Sequence, residues 1–138
     1  KKIIYPDIIN LDKTHNMPLY LDNDNFLTND KCFILTGEHL GYLTAFFNSR
    51  LFRYCFKYNF PKLGNKGLEL KKVFMVQIPV KDVSDLENEQ YTNLVYAIQA
   101  KKKDNPNADT SDLEKQIDNM LYEHYNLTED EIKEIETK

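Results

Sequence analysis

Apolar residues recur at spacings of three and four through Leu40, Leu43, Phe47, Leu51 and Tyr54, which places them on one face of a helix. Phe46, Phe52 and Phe56 widen that face, so the spacing predicts one long helix buried on most sides, with Thr36 as a candidate cap. Asn59-Phe60-Pro61 is biased to extended backbone and bounds it. Before the helix the pattern is strand-like. Ile3, Ile4, Ile8 and Ile9 predict a strand over Lys2 to Asn10, with Pro6 making it an edge or bulged strand. Pro18 to Leu21 is a short candidate strand, Asp22 to Asn25 a turn by composition, and Leu11 to Met17 a polar loop. Phe26-Leu27 and Cys32 to Leu35 predict a hairpin around Thr28 to Lys31. After the helix, Val73 to Val80 is an apolar run closed by Pro79, predicting a buried strand.

From Ser84 onward the period is helical throughout. Ser84 with Glu87 forms a capping-box pattern, followed by a stripe of Tyr91, Leu94, Val95 and Ile98 and by Lys101-Lys102-Lys103, which suit a helix C-terminus. Asn105-Pro106-Asn107 marks a turn. Thr110 or Ser111 opens a second helix with Leu113, Ile117, Met120, Leu121 and Tyr125 inward, and Thr128 with Glu131 opens a short tail helix carrying Ile132 and Ile135. The expected fold is therefore α+β: a mixed β-sheet with a long packed helix over residues 1–82, then a helical hairpin and a tail helix over 83–138.

Composition narrows the class. The 138 residues suit one domain with a helical appendage. No apolar run approaches the roughly 18 residues of a membrane span, and the chain, which begins Lys-Lys-Ile-Ile, has the look of a C-terminal piece of a longer protein. Cys32 and Cys55 stand apart in apolar contexts, which fits a reducing, cytoplasmic setting better than a disulfide scaffold.

The charge is unevenly spread. The whole chain carries −4, yet the segment from Arg50 to Lys72 holds seven basic residues against Glu69 alone, a local +6. Residues 1–80 total +4 and residues 81–138 total −8. A cationic segment leaving an aromatic helix through a Gly-bearing loop suits a surface that meets phosphate. A solvated rim on a core helix is the competing reading of the same residues.

Two stretches resemble a known family. Tyr42-Leu43-Thr44-Ala45-Phe46-Phe47-Asn48-Ser49-Arg50-Leu51-Phe52, followed by Ile78-Pro79-Val80, is similar to the "YLLALLNSKLF … IPIP" pattern of the TaqI-like C-terminal specificity domain of type IIG restriction–modification enzymes and related adenine-N6 DNA methyltransferases. Leu113 to Glu136 is similar to that family's closing "LE..ID.LVY.LYGLTEEEIK.IE", with Asn126 where the family often has Gly. Counting the stretch between Phe52 and Ile78, the two segments span about half the chain. The resemblance implies a bacterial target-recognition domain that grips double-stranded DNA for an upstream methyltransferase domain of the same polypeptide. S-adenosylmethionine would be bound by that upstream domain, and no cofactor is expected in this segment. Type I specificity subunits carry a looser version, and the alternative is a helical protein–protein interaction module in which the hairpin acts as a docking spacer.

On this footing Lys57, Lys62, Lys66, Lys71 and Lys72 are candidate phosphate contacts, Asn65 between Gly64 and Gly67 could present its amide to adenine, and Arg53 could reach guanine. None of these is carried by a family motif. No catalytic or metal site is expected. The Asn/Asp-Pro-Pro-Tyr/Phe motif of adenine methyltransferases is absent, Gly64-Asn65-Lys66-Gly67 lacks P-loop spacing, and Glu69-Leu70-Lys71 is an E-x-K tripeptide of the kind a lysine-rich chain holds by chance. His15, His39 and His124 are scattered, with His39 expected at the surface or at a cap and His124 on the hairpin's flank. Asp118 and Glu123 are expected on a solvated acidic face. Tyr58 and Phe60 lie past the helix, where either could touch DNA, with the core the better expectation for Phe60.

Overall fold

The computed structural model describes residues 1–10, 18–56, 59–64 and 67–137, with backbone only at positions 10 and 63. The protein is α+β. Among the described residues the strands form two three-stranded sheets, and every pairing is antiparallel, where a mixed sheet was expected. In the first, β1 (Lys2–Pro6) lies between β3 (Tyr20–Asp22) and β4 (Cys32–Leu35). Ile3 stands opposite both Leu21 and Leu35, and the two-residue period sends Ile3 and Tyr5 into the core. In the second, β6 (Gly67–Glu69) lies between β2 (Ile8–Asn10) and β5 (Lys62–Leu63).

The single strand expected over Lys2 to Asn10 is thus two strands in two sheets. Asp7 is the joint: its N–H donates to Lys31 C=O at 3.0 Å, and its C=O accepts from Leu70 N–H at 2.7 Å. Pro6 is tolerated in a central strand because β3 pairs only as far as Ile4, so at Pro6 the neighbour is β4 alone. Phe26 and Leu27 form no strand. Asp22 stops the chain in a turn, accepting the N–H groups of Asp24 and Phe26, each at 2.9 Å, and β4 pairs with β1 instead.

The long helix is two: α1 (Leu40–Phe47) and α2 (Arg50–Phe56). Asn48 and Ser49 make the break, because short polar side chains offer the backbone other partners than the helix ladder. Ser49 Oγ donates to Phe46 C=O at 2.6 Å and accepts from Phe52 N–H at 3.1 Å. Ala45, Phe47 and Leu51 are buried as the spacing requires, whereas Tyr54 is exposed. Thr36 is not the cap. His39 holds that position in a left-handed conformation with no side-chain cap bond. The open Tyr42 N–H is satisfied from across the fold by Asn88 Oδ1 at 3.0 Å.

The strand expected at Val73 to Val80 is instead a helical turn, α3 (Lys72–Met75). Met75 and Ile78 are buried while Val73 and Val76 face solvent, a helical spacing that a short apolar run does not separate from a strand.

The C-terminal part follows the pattern closely: α4 (Asp85–Asp104), α5 (Ser111–His124) and α6 (Glu129–Thr137). Both capping boxes form, Ser84 with Glu87 and Thr128 with Glu131. Asn126 closes α5 in the left-handed conformation, φ 54°. Leu127 N–H reaches back to Tyr122 C=O at 3.0 Å and Asn126 N–H to Glu123 C=O at 3.0 Å, the two bonds of a Schellman close.

α4 packs along α1 and touches β3, and α5 lies on α4 and α2. One core runs through both parts of the chain, from Ile3 through Phe46 and Phe52 to Leu121 and Ile135. Aromatic rings fill its centre, with Phe47 and Phe52 edge to face at 5.0 Å. None of the described helices is long and apolar enough to cross a membrane.

Candidate nucleic-acid interface

The cationic segment is carried by α2, by the β5–β6 hairpin and by the start of α3. Lys62 lies on β5 opposite Leu68, and Gly64 turns the chain with φ 68°, a conformation that favours glycine. Glu69 N–H donates to Pro61 C=O at 3.0 Å and closes the base of the hairpin. Leu68 and Leu70 are buried, so the hairpin is anchored by its leucines while Lys62, Lys71 and Lys72 are exposed. Lys57, Asn65 and Lys66, and with them Tyr58 and His15, lie outside the described residues.

The local charge is partly neutralised. Lys71 Nζ is 3.3 Å from Glu69 Oε2, so the E-x-K tripeptide is an ion pair. Arg50 Nε lies 3.7 Å from Asp118 Oδ2. Arg53 is half-buried on α2, and burial, aided by Arg50, holds its guanidinium below its usual range. Of the described cations in this segment, Arg50, Lys62, Lys71 and Lys72 are exposed. Phe60 is a core residue.

The histidines do other work. His39 Nε2 is 2.8 Å from Asp85 Oδ1 and ties the start of α1 to the start of α4. His124 is half-buried, edge-on to Tyr42 and Tyr125, with its Nδ1 3.8 Å from Glu87 Oε1. The free cysteines are Cys32, half-buried, and Cys55, exposed.

Three polar residues escaped the sequence pattern. Asn48 accepts Leu19 N–H at 3.0 Å and donates to Leu19 C=O at 2.9 Å. Gln99 does the same to Leu21, at 2.8 and 3.0 Å. The two amides thereby occupy the edge of β3 that faces away from β1. Asp118, expected on a solvated face, is 6% exposed. Its Oδ1 accepts Arg50 N–H at 3.2 Å, capping α2. Burial pushes its carboxyl up to about 6 against the pull of Arg50, with Glu136 and Glu114 adding to the rise. Of these, Asn48 alone had a local signal: Asn-Ser inside an apolar helical pattern marks a break.

Compared with known proteins, the chain matches no family model, no curated protein and no solved structure.

Proposed function

We propose that this chain is the target-recognition domain of a bacterial restriction–modification methyltransferase, with or without endonuclease activity. It would hold duplex DNA while an upstream domain of the same polypeptide, binding S-adenosylmethionine, methylates adenine N6. The observation that carries this reading is the meeting of the two segments that resemble the specificity-domain family. Arg50 and Asp118, 68 positions apart, are joined by a backbone-to-carboxylate bond. Tyr42 and Tyr125 hydroxyls are 3.1 Å apart, and the Phe46 and Tyr125 rings stack with centroids 5.9 Å apart. Two patches similar to one family in the same order, and packed on each other, support a shared architecture more than either patch alone.

The exposed lysines of β5 and α3 supply the phosphate-facing surface that such a domain needs. The interaction-module alternative is less well supported. The stripes of the α4–α5 hairpin are used within the chain, where Tyr91, Val95, Ile117 and Leu121 are buried.

The test is duplex binding by the parent enzyme as salt is varied. Replacing Lys62 and Lys72 with Ala should weaken binding on all sequences alike. The slope of log affinity against log salt should flatten by about 0.9 for each phosphate that is no longer neutralised. An unchanged slope would overturn the assignment of these lysines. Asn65→Ala should cost about 1–3 kcal/mol on the recognised site and almost nothing on random duplex.

A further inference from the structure

A cavity of about 480 Å³ opens between β3, α1, α4 and α5, away from the lysine-bearing hairpin. Its volume lies within the roughly 300–1,000 Å³ of small-molecule sites. The walls are largely apolar: Leu19, Ala45, Val95, Ile98 and Ile117.

Besides Tyr20, six polar side chains lie on the wall. The Asn48 and Gln99 amides are engaged by the β3 backbone. Ser49 is engaged by Phe46 and Phe52. Lys102 Nζ donates to Ala108 C=O at 2.8 Å, and Glu114 accepts the Thr110 hydroxyl at 3.2 Å. Asp118 differs. It is almost fully buried, takes one hydrogen bond from Arg50 N–H, and has Arg50 Nε at 3.7 Å, beyond hydrogen-bond reach. A carboxylate offers about four acceptor sites, so most of its capacity is unmet at these distances.

We propose that this cavity binds a small organic cation, an amine or amidine carried on an apolar or aromatic body, with the Asp118 carboxylate as its counter-ion. The apolar walls take the body. The carboxylate takes the charged donors, which an amidine presents in a matching fork. Glu114 on the same wall disfavours an anion. A neutral apolar guest would leave the buried carboxylate as poorly satisfied as before. This site is independent of any DNA contact by the hairpin.

The test is titration of the 138-residue chain with benzamidine and with its neutral isostere benzamide, followed by the methyl resonances of Ile98 and Ile117. Benzamidine should bind saturably and at least about tenfold more tightly than benzamide near neutral pH. The carboxyl of Asp118 is raised to about 6, with Arg50 from α2, Lys102 from α4, Glu114 from α5 and Glu136 from α6 as the charged groups around it. Below that pH affinity should fall about tenfold per unit as Asp118 takes up its proton. Asp118→Asn should remove the preference for the cation. Equal binding of the two probes, absence of saturable binding, or a flat pH profile would each overturn the site. The isostere and pH comparisons use the unaltered chain and stand without the variant.

Discussion

Asp22 and Asp118 are both buried aspartates, and they titrate in opposite senses. Lys2 Nζ, with the N–H groups of Asp24 and Phe26, holds the Asp22 carboxyl below its ordinary range. Its contribution to stability is present above the ordinary aspartate pKa and is lost as pH falls through the depressed value. Asp118 is raised from 3.8 to about 6 by burial. The fold therefore binds a proton more tightly than the unfolded chain does, and stability falls as pH rises between those two values. Asp118→Asn keeps an oxygen for Arg50 N–H and removes the buried charge. It should stabilise the protein near neutral pH by at most about 3 kcal/mol, with the gain vanishing near the ordinary aspartate pKa. Urea unfolding at the two pH values checks this. Asn126 is the other telling single position. Asn126→Gly should be neutral or stabilising, while Asn126→Ala should cost about 1 kcal/mol, because the left-handed close tolerates Gly best. The denaturant midpoint should fall for the Ala variant and not for the Gly variant.

Between elements, Gly41 on α1 packs directly against Thr92 on α4. A Cβ at position 41 would lie 1.7 Å from Thr92 Oγ1 and 2.9 Å from Thr92 Cα. The second of these is backbone and cannot rotate away, so α1 and α4 would have to separate. Gly41→Ala should cost about 2–3 kcal/mol in spite of better helix propensity, read as a lower urea midpoint. Thr92→Ala should relieve only part of it. What was legible at this scale was whatever is decided within a few residues. The Ser84 and Thr128 boxes and the stripes of α4, α5 and α6 were written in local spacing. The Asp22 turn was written in composition. The sheets were not. Whether Lys2 to Asn10 is one strand or two depends on Asp7 exchanging partners with Lys31 and Leu70, and whether Val73 begins a strand or a helical turn depends on which residues Met75 and Ile78 meet. Those are facts about distant parts of the chain. The start of α1 likewise depends on Asn88, 46 positions from the Tyr42 N–H that it accepts.

For the molecule as a whole, the division of charge matters most. The acidic excess of residues 81–138 raises the cost of bringing the isolated chain to a polyanion, so the proposed duplex binding is best tested at low salt and in a longer protein that carries this chain. If the upstream domain holds the cofactor, calorimetric titration of this chain alone with S-adenosylmethionine should give no saturable heat. The candidate site was legible as a cluster of lysines, since charge is local in sequence. How much of that charge is available was not, because Glu69 and Asp118 draw on Lys71 and Arg50 only once the chain is folded. The cavity beside Asp118 was illegible for the same reason: its walls come from β3, α1, α4 and α5.

The amides of Asn48 and Gln99 have one more consequence. By occupying both polar groups of Leu19 and of Leu21, they deny the outer border of β3 to any passing strand. Exposed borders of this kind template pairing between molecules. The double variant Asn48→Ala, Gln99→Ala would uncover a row of donors and acceptors while leaving the apolar interior almost unchanged. Its defect should surface as clustering of folded chains, growing with protein concentration in light scattering, more than as a loss of helix. Two side chains, one in the break between α1 and α2 and one on α4, would then be acting as a guard on solubility.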